Sequence, residues 1–241
     1  MPVAREHGVL ALAALAAACG GSLGQLQDPA LTARTDGTAL FLDVTFSNAG
    51  CPSVPGARAT FDGLPLTALS LGGAAQGGLL AGCNAIRFSG SAPASPTDAT
   101  ATFEVSDGSR SLAMSAPGYF AARSLTLPGP DAGRLRAGET VIAQASPPTD
   151  RFDTAPGVAA EFTADGSTQP SFVVKSGVAV DGGAFQFAVP AAGSPIPDGG
   201  VPGVLTVQPG TTLSQVSSCT GAASCEARLQ ASYSAPATLV P

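Results

Sequence analysis

Along most of this chain, hydrophobic and polar residues take turns. Leu40, Leu42, Val44 and Phe46 alternate with Phe41, Asp43, Thr45 and Ser47, the period of two that a strand shows when one face is buried. Ala99, Ala101, Phe103 and Val105 do the same against Thr100, Thr102 and Glu104. Asp107-Gly108 then turns the chain toward residues 111–115, a hairpin signal because this pair tolerates the positive φ of tight turns. Further strands are predicted over residues 140–145, 158–163, 171–176, 184–189, 204–207 and 226–234, with Asp165-Gly166, Asp181-Gly182 and Asp198-Gly199 as turns. No 3.6-residue apolar period is sustained beyond residue 21, and 30 Gly with 21 Pro would interrupt one. Short strands at regular spacing predict an all-β chain of two tandem antiparallel β-sandwich domains, at residues 38–123 and 124–241. The expected cores are Phe41, Phe46, Phe61, Phe88 and Phe103 in the first, and Phe162, Phe172, Phe185, Phe187 and Tyr233 in the second.

The start of the chain follows other rules. Arg5, Glu6 and His7 precede an apolar run at residues 8–18, too short for the roughly 30 Å hydrocarbon core of a bilayer. Residues 1–18 therefore read as a secretory signal peptide. The run ends in Ala16-Ala17-Ala18-Cys19, which resembles the lipobox of bacterial lipoproteins. That resemblance implies a diacylated (palmitate-type) Cys19 as the new N-terminus and membrane anchor, with residues 19–37 as anchor and tether; Gly20, where an inner-membrane lipoprotein carries Asp, implies the outer membrane. Two further stretches carry resemblances. Arg134-Leu135-Arg136-Ala137-Gly138-Glu139-Thr140-Val141 resembles the opening of bacterial immunoglobulin-like and fibronectin-like modules, and Ala116-Pro117-Gly118-Tyr119 resembles a turn of transthyretin-like repeats.

Charge narrows the partners. The net charge is −6 and Lys175 is the sole lysine, so there is no basic stripe for phosphates and nucleic acid is excluded as a partner. Setting Cys19 aside leaves four cysteines in an exported chain. They fall one pair to each half, favouring Cys51 with Cys83 and Cys219 with Cys225.

Catalytic options are thin. The one histidine, His7, lies in the leader, so a mature chain would lack the imidazole of a Ser-His-Asp or Cys-His site. Gly20-Gly21-Ser22-Leu23-Gly24 fits the nucleophile-elbow spacing, but no strand precedes it. Ser171 and Lys175, four residues apart on one strand, would stand about 13 Å from each other, beyond hydrogen-bond reach. The acids Asp150, Asp153, Glu161 and Asp165 are candidate Ca²⁺ ligands and, as a carboxylate pair, candidates for a hydrolase. The expectation drawn is a non-catalytic exported lipoprotein of the cell envelope, a display, binding or spacer module that needs no cofactor and is tied to the membrane through Cys19. The alternatives are a ligand-binding module taking a glycan, an envelope protein or Ca²⁺ at loops near Asp150 or Tyr119-Phe120, and a carboxylate-dependent hydrolase.

Overall fold

The computed structural model describes residues 21–35, 39–75, 82–91, 100–129, 132–152, 158–181, 183–191 and 195–241. The leader, Cys19 and Asp153 lie outside the described residues. A 3-10 turn (Leu23–Gln25) leads into β1 (Ala30–Thr35), β2 (Ala39–Thr45), β3 (Arg58–Phe61), β4 (Leu64–Pro65), β5 (Thr67–Leu71), β6 (Ile86–Ser91), β7 (Thr100–Ser106) and β8 (Ser111–Pro117). The middle of the chain forms β9 (Ser124–Thr126), β10 (Arg134–Arg136), β11 (Thr140–Ser146), β12 (Asp150–Phe152), β13 (Ala159–Ala164), β14 (Phe172–Val174), β15 (Ala179–Asp181), β16 (Ala184–Ala188) and β17 (Val201–Gln208). It closes with β18 (Thr211–Ser214), β19 (Ser218–Thr220), β20 (Ser224–Gln230) and β21 (Tyr233–Val240).

Two hydrophobic cores result, each between two sheets. The first lies between the order β12-β18-β20-β1-β2-β6-β5 and the order β19-β8-β7-β3-β4. The second lies between β10-β21-β17-β13-β14 and β15-β16-β11-β9. The hairpin read from Asp107-Gly108 is present, with β7 and β8 antiparallel and Gly108 at φ +85°. On β7 the apolar set Ala101, Phe103 and Val105 is buried while Thr100, Thr102 and Glu104 face solvent.

The units are interleaved, so a division at residue 123 does not describe the packing. After β17 the chain leaves the second core, contributes β18, β19 and β20 to the first, and returns as β21 beside β17. The single strand expected over 226–234 is thus two strands in two cores. The alternation Ala227, Leu229, Ala231, Tyr233, Ala235, Ala237 runs unbroken through the crossing, and Ala231 packs against both cores. A pattern of period two records which residues are buried but not in which core.

The expected tether is also corrected. Leu31 and Ala33 are fully buried on β1, an interior strand antiparallel to β2 and parallel to β20. The β10–β21 pair is parallel as well, so the architecture is mixed rather than wholly antiparallel. Of the expected core aromatics, Phe46 and Phe172 are partly buried against the cores, while Phe41 lies on the outer sheet face. Both disulfides form, Cys51–Cys83 with Cα atoms 4.8 Å apart and Cys219–Cys225 with 5.7 Å. Both serve the first unit, where the second ties β19 of one sheet to β20 of the other.

Candidate functional site

Two buried carboxylates organise the polar chemistry. Asp150 stands at the start of β12, its side chain fully enclosed. Arg123, in the segment joining β8 to β9, donates from Nε to Oδ2 at 3.0 Å and from Nη2 to Oδ1 at 3.2 Å. Ser214 Oγ on β18 donates to Oδ1 at 2.8 Å, and the Tyr233 hydroxyl on β21 donates to Oδ2. Four donors thus fill the acceptor capacity of one carboxylate. Arg123 is in turn fixed by the Gly118 and Ala121 carbonyls, around which the joining segment folds. Gly118 itself sits at φ +64°, with Thr149 and Pro147 packed where a side chain would go. The network draws on a residue from each place where the chain passes between cores. Burial pushes the Tyr233 hydroxyl pKa well above the usual phenol range, and the Asp150 carboxylate it bonds reinforces that direction.

Asp43 on β2 is the second. Its side chain is 8% exposed and accepts Arg34 through Nη2 at 2.7 Å and Arg87 through Nε at 2.7 Å. Those arginines are 42% and 45% exposed, so this ladder across β1, β2 and β6 has an open side. The Arg34 guanidinium lies 5.5 Å over the Phe41 ring. Beside it a groove of about 430 Å³ passes over Arg34, Phe41, Thr211, Arg228 and Gln230. Thr211 and Gln230 also line an adjoining groove of about 460 Å³ that reaches Gln208 and Ser232 at the crossing between cores.

The residues singled out from sequence are scattered. Asp150 has its oxygens occupied by Arg123, Ser214 and Tyr233, leaving none for calcium or for a sugar oxygen. Glu161 lies on β13 across from Val173 and Thr206, and Asp165 is exposed in the turn after β13. Among the described residues no three of His, Cys, Asp and Glu come together to hold a metal. Lys175 and Ser171 are exposed. Tyr119 is a core residue and not a displayed one, packed edge-on to Phe103 and Phe120 with its hydroxyl donating to the Arg228 carbonyl at 2.7 Å. Burial raises its pKa above the ordinary value.

Sequence reasoning missed Arg123, Ser214, Arg34, Arg87 and Arg228. The one available signal was Asp43, a carboxylate inside an otherwise apolar strand, which calls for a cationic partner on a neighbouring strand. Asp107, the turn residue read correctly, does more than turn. Ser109 and the backbone N–H groups of Arg110, Leu23 and Ser109 bond its carboxylate. Desolvation acts to raise its pKa, but these bonds outweigh it and hold the group well below the usual carboxylate range.

No protein-family model matches the chain, and no curated protein matches it. Among solved structures, the chain is similar to a chimeric titin Z1Z2-Z1Z2 tandem functionalised with a GRGDS exogenous peptide from fibronectin. The match has 14% identity over 89% of this chain and 96% of that one, with a TM-score of 0.22. A likeness so slight carries no functional reading; the chain is an all-β protein with two disulfides, a pairing that marks an oxidising compartment outside the cytoplasm.

Proposed function

We propose that this protein is a non-catalytic component of the cell envelope, anchored through a diacylated Cys19 to the outer membrane and acting as a spacer or display module. In this reading its two units are sandwiches of the immunoglobulin-like, fibronectin-like or transthyretin-like kind. The observation that carries the proposal is the threading of the units through each other. The chain passes between the units near residues 123, 210 and 231, β12 reaches across from the second unit to pair with β18 of the first, and the Asp150 network closes the joint. Interleaved units resist independent movement, which suits a part that holds a fixed distance or presents a fixed surface. The buried carboxylates support a non-catalytic reading, because each is already engaged by arginine.

Palmitate labelling of the wild type and of Cys19→Ser, with membrane fractionation, tests the anchor. The wild type is expected to take up label and sediment with membranes, and the variant to do neither. A wild type that stays unlabelled and free in the medium overturns the proposal.

A further inference from the structure

We infer that the outer face of the first unit is a binding site for a carboxylate-bearing saccharide, whose acid group sits between Arg34 and Arg228. The inference goes beyond the envelope reading and does not depend on the lipid anchor.

Register places Arg34 of β1 directly beside Arg228 of β20, two like charges on neighbouring strands. Such a pair repels unless an anion lies between them. Their existing partners do not cancel the charge. Asp43 is shared by Arg34 and Arg87, one carboxylate for two guanidiniums, leaving a surplus of one positive charge in a chain whose net charge is −6. Arg228 pairs with Glu226 on its own strand, and both side chains of that pair are nearly half exposed, so a ligand carboxylate can exchange with it. The surplus fits one carboxylate. Arg34 is also held in place by Asp43 below and Phe41 beside it, so it is oriented before a ligand arrives.

The rest of the groove sets the ligand class. Thr211, Gln230, Gln208 and Ser232 supply hydroxyls and amides along a trough, partners suited to a row of sugar hydroxyls, while Phe41 offers an apolar face for sugar C–H groups. A peptide strand is the poorer fit. The groove lies over β18, β20, β1 and β2, which are interior strands with neighbours on both sides, so there is no free backbone edge to extend.

The test is titration of the whole protein with an oligogalacturonate, with a neutral glucan oligomer of equal length beside it, followed by calorimetry and amide chemical shifts. The acidic oligomer is expected to bind at least about tenfold more tightly than the neutral one and to shift amides of β18 and β20. Arg228→Gln, which leaves the Arg228 carbonyl to Tyr119, is expected to weaken binding at least about tenfold, while Lys175→Gln leaves it unchanged. Absence of binding at millimolar oligomer overturns the inference. So does equal affinity for the neutral oligomer, or undiminished binding by an Arg228→Gln protein that retains the wild-type spectrum.

Discussion

Asp43 and Asp150 are both buried and both paired with arginine, yet they do opposite things. Asp150 is closed on every side: its side chain is fully buried, its arginine is 10% exposed, and a serine and a tyrosine take the remaining acceptor positions. Asp43 is closed only from beneath, and the guanidiniums it holds face water. The first arrangement fastens one part of the molecule to another. The second presents positive charge in a fixed orientation. Exposure of the cation, more than burial of the acid, distinguishes a structural ion pair from one that can meet a ligand.

Replacing the acids puts that difference to measurement. Asp150→Ala leaves Arg123 enclosed without a counter-charge and is expected to lower the unfolding free energy by about 3 to 5 kcal/mol in urea titration. Tyr233→Phe removes a single donor from the same carboxylate, and about 1 to 3 kcal/mol is expected. The pH dependence of that tyrosine has a definite sign. Burial and then Asp150 raise its pKa above the ordinary 10.0, so its contribution to stability is complete below pH 10.0 and is lost as the pH climbs beyond that value. With two tyrosines and no tryptophan, phenolate absorbance is expected to stay flat through pH 10 and to rise only as the protein unfolds. Asp43→Asn is expected to cost the least, no more than about 1 kcal/mol after allowing for the solvent around Arg34 and Arg87. A loss at Asp43 as large as that at Asp150 would break the distinction.

Local features of the fold were legible and distant ones were not. The alternation of β7, the Asp107-Gly108 turn and the β16 pattern all follow from neighbours in sequence, where period and turn chemistry are written residue by residue. Asp150 was singled out for the wrong partners. Those it has lie 27, 64 and 83 residues away, at Arg123, Ser214 and Tyr233, and no spacing rule reaches that far. The crossing at Ala231 is hidden for a related reason. Tyr233 follows Leu229 at an even interval, so the strand period continues while the packing partner changes. Likewise nothing local distinguishes β1 from a tether, since its burial depends on β20 arriving from the other end of the chain.

That last dependence has a consequence for how the protein comes into being. A ribosome and an export channel deliver a chain from its N-terminus, and by the time residue 123 emerges the first unit still lacks β12, β18, β19 and β20. Leu31 and Ala33 then have β2 on one side and an unfilled place on the other, while Cys51 and Cys83 are already available to each other. Closure waits for β18, β19 and β20, and the Cys219–Cys225 bridge can form only once Cys225 has been delivered. The half made first is still open when most of the second has been delivered, so a nascent chain cut anywhere before residue 211 yields no finished first unit.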